Sequence, residues 1–371
     1  MRSSNGARST SDSWRRQRVG RVDDLLRRTV ASDASDLHIK AGTKPYLRIH
    51  GELIPLEDEE SFTRDGARAA IYEVLSEAQH RRFEKELELD FAYEIPGLAR
   101  FRGNVYQQRQ SVQAAFRVIP LRIQTLEELE LPPIVRNFCD RPRGLVLVTG
   151  PAGSGKSTTQ AACLDYINHN HPVHIVTVED PIEFIHSDHI ALVRQRELDF
   201  DTLSFANALK YVLRQDPDVI LVGEMRDLET IQLAITASET GHLVFGTLHT
   251  VDAVQTVDRI IDVFPIHQQQ QIRMQLSVNL IGVISQTLIK KADGQGRVAA
   301  YETLNCVGAV RNLIRENKTY QISSIVQTGA RMGMQTLDQA LAKLVLEKKV
   351  THEDAAFKAK DRSEFERLVN V

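Results

Sequence analysis

The residues Gly150-Pro151-Ala152-Gly153-Ser154-Gly155-Lys156-Ser157, with Thr158 behind them, fill every fixed position of the GxxxxGK[ST] pattern. Glycines at this spacing let the backbone turn successive N–H groups inward around phosphate oxygens. A helix beginning at Lys156 adds its N-terminal partial charge, the Lys156 ammonium reaches the β- and γ-phosphates, and the Ser157 hydroxyl is a ligand for Mg²⁺. A chance glycine turn explains the eight residues only if no strand precedes and no helix follows, and both are expected here. The motif establishes binding of nucleoside triphosphate phosphates and leaves open the work done with them.

Three more segments carry polar residues where such a site needs them. Val219-Ile220-Leu221-Val222-Gly223-Glu224 reads as a buried strand ending in an acid, with Gly223 where many phosphate-loop enzymes have an aspartate. Thr177-Val178-Glu179-Asp180-Pro181-Ile182-Glu183 ends a second strand on Glu179, so the magnesium shell draws on Glu179 and Asp180, partly through water. Either Glu179 or Glu224 can polarise the attacking water, and the sequence does not divide the roles. Either acid alone reads as a solvated loop carboxylate; two acidic strand ends in one such domain do not. Gly241 to Thr250 (GHLVFGTLHT) ends a third strand on His249 and Thr250, placed to sense a γ-phosphate; a buried structural histidine is the competing reading.

The elements that must position these residues fall into two regions. Residues 134–371 alternate strands (144–148, 173–179, 219–223, 242–248) with helices (after the phosphate loop, 204–214, 228–240), which predicts a mostly parallel sheet covered on both faces, a RecA-like α/β core. Asp293-Gly294-Gln295-Gly296 predicts a hairpin between 284–290 and 297–304, and the last 70 residues read as helical. Residues 21–118 predict a smaller α+β domain: a helix carrying Val22, Leu25, Leu26 and Val30, strands at 36–40 and 46–50, a helical stretch over 64–86, and strands at 99–107 and 112–118 around a polar turn. Residues 119–133, with Pro120, Pro132 and Pro133, read as a linker and hinge, and the Ser/Arg/Gly-rich residues 1–20 as a disordered tail.

The 371 residues carry 46 Lys+Arg against 49 Asp+Glu, a formal net charge of −3. That balance, without an aromatic-basic pattern, argues against nucleic acid as a partner. The three cysteines, Cys139, Cys163 and Cys306, are too dispersed for a CxxC zinc pattern or a disulfide framework, which fits a reducing cytoplasm. No apolar run is long enough to span a bilayer.

Taken together, the phosphate loop at 150–158, the acidic box TVEDPIEF at 177–184, DPDVILVGEMRD at 216–227 and the histidine box at 241–250 resemble the secretion-type ATPases of type II secretion and type IV pili. SDLH at 35–38 and LARFRGN at 98–104 resemble that family's N-terminal PAS-like domain, so the likeness runs from about residue 20 to 360. The lack of a four-cysteine module and the segment Ala309-Val310-Arg311-Asn312-Leu313-Ile314-Arg315-Glu316, similar to the AIRNLIRE signature, point to the retraction (twitching motility) branch. An extension or type II secretion ATPase and an accessory retraction paralogue are the alternatives. The resemblance implies ATP and Mg²⁺ as cofactors and a homohexameric motor for pilus retraction. It also implies docking at the cytoplasmic face of the inner membrane on a platform protein, with a paralogous retraction ATPase as a further partner and no zinc. It further implies that Arg102 and Arg117, with Arg109 less well matched, face a neighbouring subunit's nucleotide; a solvated strand face is the plainer reading of these arginines.

Overall fold

The computed structural model describes residues 20–49, 51–119 and 122–370. The expected tail at 1–20 lies outside them except for Gly20. The chain divides into two compact units, Met1–Leu121 and Arg122–Val371.

In the first unit, α1 (Arg21–Ala31) leads into β1 (Asp36–Ile39), β2 (Tyr46–Ile49) and β3 (Glu52–Pro55). Then come α2 (Arg64–Tyr72), α3 (Glu77–Glu86), β4 (Glu88–Ile95), β5 (Ala99–Gln108) and β6 (Ser111–Ile119). The six strands form one antiparallel sheet in the order β3-β2-β1-β6-β5-β4. Period-two alternation sorts its faces. Phe101, Val105 and Phe116 point into a core with Leu37, Val22, Leu25, Ile71 and Phe83, while Arg102 and Arg117 point the other way. The helical stretch expected over 64–86 is two helices. Ser76 starts the second: its Oγ accepts from the Gln79 N–H and its own N–H donates to Gln79 Oε1, a capping box. Strands β3 and β4 are additions to the sequence reading.

The second unit opens with α4 (Ile134–Cys139), β7 (Gly144–Thr149), α5 (Lys156–Asn170), β8 (His174–Glu179) and β9 (Leu192–Glu197). It continues with α6 (Phe205–Val212), β10 (Val219–Val222), α7 (Leu228–Glu239), β11 (Leu243–Leu248), α8 (Ala253–Asp262) and α9 (Ile266–Asn279). The hairpin β12 (Leu280–Lys290) and β13 (Arg297–Asn305) precedes α10 (Gly308–Arg315), α11 (Ile322–Thr328), α12 (Leu337–Leu346), α13 (His352–Lys358) and α14 (Arg362–Val369). The sheet order is β13-β12-β7-β11-β10-β8-β9, parallel except for the β12–β13 pair. Strand β7 is apolar throughout because both its faces are covered: Leu145 and Leu147 join the cluster holding residues of α6 to α9, Val146 and Val148 the one holding residues of α4 and α5. The edge strand β9 was not anticipated. Among the described residues no helix is long and apolar enough to cross a membrane.

Candidate active site

Parallel strands deliver whatever follows them to one edge of the sheet, where open α/β sheets bind ligands. Here the ends of β7, β8, β10 and β11 bring the phosphate loop, Glu179, Glu224 and His249 to a single cavity of about 400 Å³, which Asp180, Glu183, Thr247 and Arg297 also line. Gly150 adopts φ 144°, and a Cβ there would lie 2.3 Å from the Gln286 carbonyl oxygen, so only glycine closes this turn. At Gly223 a Cβ would lie 3.1 Å from Glu179 Cα. The aspartate expected at that place by analogy would press on the β8 backbone that carries the other acid.

Helix α5 begins at Lys156 with no side-chain cap, so its first N–H groups are available at the cavity. Ser154 Oγ is buried without a hydrogen-bond partner, and Gln286 Nε2 donates to the Ser154 carbonyl at 2.7 Å. Lys156 Nζ donates to the carbonyls of Gly150 and Pro151, at 2.9 and 3.0 Å. Burial lowers the Lys156 pKa against the opposing pull of Glu224 and Glu183. An uncapped helix start, an orphan hydroxyl and a half-desolvated ammonium together form a site for a polyanion.

The two acids sit in opposite environments. Burial pushes Glu179 up to about 7, although Thr177 Oγ1 (2.6 Å) and Gln195 Nε2 (3.1 Å) both donate to its Oε1. At Glu224 burial also pushes upward, but hydrogen bonds and charge from Arg226 and His249 outweigh it and the pKa is lowered. Arg226 lies 2.6 Å from Glu224 Oε2, and His249 Nε2 2.7 Å from Oε1. A carboxylate only accepts, so that imidazole nitrogen carries a proton. Thr247 Oγ1 donates to the Gly223 carbonyl, tying β11 to the turn that holds Glu224. Thr250 Oγ1 bonds Thr256 Oγ1 at 2.6 Å at the start of α8.

Ser157, Glu179 and Asp180 border the same cavity and offer hard oxygen donors, which suit Mg²⁺. Among the described residues no three or more His, Cys, Asp or Glu are grouped to hold a metal by themselves. A donor set this sparse fits an ion that arrives with the phosphates and keeps several waters.

The three arginines expected to act on a neighbour's nucleotide lie in the first unit. Arg102 on β5 and Arg117 on β6 are direct cross-strand partners on the face away from the core. Two like charges so placed repel. Asp36, buried and opposite Arg117 on β1, takes up Arg117 through its Nε at 2.9 Å. Arg109 sits at the β5–β6 turn with φ 49°. The sequence reading included Thr177 in the acidic box without giving it a role, and it missed Gln195, Gln286 and Arg297. Each is an isolated polar residue on a strand, with no spacing pattern to announce it.

Residues 109–368 match the family described as Type II/IV secretion system protein. The chain belongs to the type IV pilus retraction ATPases of that family. It is 52% identical over 344 residues to the type IV pilus retraction ATPase PilT of Pseudomonas aeruginosa, covering 91% of this chain and 98% of the relative. It is 50% identical over 337 residues to the twitching motility protein of Neisseria gonorrhoeae, 91% of this chain and 90% of that one. A crystal structure of the pilus retraction motor PilT with bound ADP superposes with a TM-score of 0.88 at 47% identity, covering 93% of this chain and 98% of its own. The chain is therefore a nucleotide-binding ATPase with a RecA-like core and a smaller N-terminal α+β domain.

Proposed function

We propose that the chain is a homohexameric motor that hydrolyses Mg²⁺-ATP in the cavity at the ends of β7, β8, β10 and β11 and uses the energy to retract a type IV pilus. The observation that carries this reading is the convergence of phosphate loop, two acids and a histidine on one cavity in a chain of the retraction branch. Residues 150–158 cradle the phosphates, and Lys156 neutralises their β/γ charge. Ser157, Glu179 and Asp180 hold Mg²⁺, directly or through water; when bound, the ion offsets negative charge on the transferring phosphoryl group. Glu179, reaching the ion through water, takes the proton of the attacking water. Glu224 stays ionised and fixes His249 and Arg226 at the edge of the cavity, where His249 senses the γ-phosphate.

Arg102 and Arg117, with Arg109 as a third candidate, reach the nucleotide of the adjacent subunit in the ring. There a guanidinium offsets charge in the transition state and links hydrolysis to movement of the N-terminal domain. The boundaries we assign are 21–118 for that domain, 119–133 for the hinge and 134–371 for the ATPase domain. The partners are an inner-membrane platform protein and a paralogous retraction ATPase, and the motor works at the cytoplasmic face of that membrane. The test is retraction in a strain lacking its own motor. The wild-type chain should restore twitching, and Lys156→Ala, which removes the cation from the phosphates, should restore none and lose ATP turnover. Restoration of pilus assembly in a strain that lacks extension, with no effect on retraction, would move the chain to the extension class.

A further inference from the structure

The edge strand β9 places Gln195 where its amide touches the acidic box twice and the loop just after it once. Its Nε2 donates to Glu179 Oε1 at 3.1 Å and to the Phe184 carbonyl at 2.8 Å, and its Oε1 accepts the His186 backbone N–H at 2.9 Å. Both amide hydrogens and the carbonyl oxygen are engaged, so the side chain has one orientation. Two residues along, Glu197 is buried and accepts the Ile182 N–H at 3.2 Å, pinning the same loop nearer its start. The loop from Asp180 to His186 is otherwise irregular, and Glu179 is the last residue of β8 before it.

We infer that Gln195 is a positioning residue for hydrolysis, setting the Glu179 carboxylate against the nucleotide by bonding it to the acidic-box loop. This rests on the assignment of Glu179 to the reaction. An amide suits the task better than a charged side chain. An arginine would hold Glu179 in a salt bridge that competes with the nucleotide, and a carboxylate would repel it. A neutral donor fixes the orientation and leaves the charge free to act. Thr177, donating to the same oxygen from inside β8, is the second support.

The test is a double-mutant cycle on the full chain, with Gln195→Met, Glu179→Gln and the pair. Turnover is measured at saturating Mg²⁺-ATP, and affinity for a fluorescent ADP analogue is measured in EDTA and in Mg²⁺. Hydrogen exchange reads the amides of 182–187. Gln195→Met should lower kcat about tenfold while KM and ADP affinity in EDTA stay within about threefold, the value of one hydrogen bond to a charged group. In the Glu179→Gln background the same substitution should cost less than about twofold, because the bond to Gln195 then positions no carboxylate that takes part in the reaction. An equal loss in both backgrounds, or wild-type kcat in Gln195→Met, overturns the inference. If Gln195→Met does not fold, Gln195→Ala repeats the cycle, since it removes the donor to Glu179 without introducing a charge. Should Glu179→Gln alone keep wild-type turnover, the underlying catalytic assignment fails, a result distinct from failure of the coupling.

Discussion

Replacing Glu179 with glutamine should make the protein more stable and less active at once. The side chain is half-buried at the end of β8, and desolvation raises its pKa from 4.5 to about 7. A group whose folded pKa exceeds its unfolded value contributes most below the unfolded pKa, and that contribution is lost as pH rises through the folded one. Between pH 4.5 and 7 the native state therefore loses stability at this position, and by pH 8 the loss amounts to about 3 kcal/mol at 1.36 kcal/mol per unit. Glutamine is isosteric, and its Oε1 can accept both present donors, Thr177 Oγ1 and Gln195 Nε2, so the substitution creates no orphan there. At pH 8, in EDTA and without nucleotide, Glu179→Gln should melt higher by about 6–12 °C, given the 2–4 °C per kcal/mol of a domain this size. At pH 4 the two proteins should melt together. Steady-state phosphate release should fall by about 10²–10³, the usual contribution of a general base, with ADP affinity little changed. A melting temperature equal to wild type at pH 8 would refute the burial argument, and unchanged turnover would remove Glu179 from the chemistry.

Two further outcomes concern communication beyond one site. Arg117→Ala should be inactive alone and regain part of its turnover when mixed with inactive Lys156→Ala subunits, because some interfaces then join an intact phosphate loop to an intact arginine; mixing that yields nothing argues that Arg117 acts within its own subunit or only steadies the sheet. Arg311→Ala/Arg315→Ala on the exposed side of α10 should fold and hydrolyse ATP at close to the wild-type rate, since surface changes cost within about 0.5 kcal/mol, yet fail to restore twitching; a parallel fall in ATPase rate in an assembled ring would place α10 in the catalytic cycle.

The parts of the site legible in the sequence are those where the backbone imposes residue types. The phosphate loop needs glycine where φ is positive, as at Gly150, Gly153 and Gly155, and a parallel sheet buried on both faces produces apolar runs whose ends mark the cavity. What escaped was set by neighbours distant in sequence. Strand β9 reads LVRQRE, four polar residues of six, because it lies at the edge of the sheet beside β8 alone; nothing in those six letters shows that Gln195 faces Glu179, sixteen residues away. Strand β3 has three exposed residues of four and so carries no alternation. Strand β4 does alternate, with Leu89, Phe91 and Ile95 buried, and follows a charged helix that hides its start. The break between α2 and α3 was readable in principle, since Ser76 and Gln79 have capping-box spacing.

The contrast between the two acids follows from the same geometry and separates roles that spacing alone leaves equal. Glu224 has two hydrogen-bond donors, Arg226 beyond its own strand end and His249 on the adjacent one, and they hold its pKa down, which favours the carboxylate. Glu179 has only neutral side-chain donors, and near pH 7 it stands close to the balance between acid and carboxylate. A group poised there can accept a proton and release it within one cycle, whereas a group held far below neutrality serves better as fixed charge. Gly223 links the two: by omitting a side chain it lets the end of β10 approach the backbone of Glu179, with its N–H donating to the Val178 carbonyl at 2.8 Å. On the proposed roles, β10 is the element that joins the two acids: Thr247 on β11 donates to the Gly223 carbonyl, and the Gly223 N–H donates to β8 one residue before Glu179.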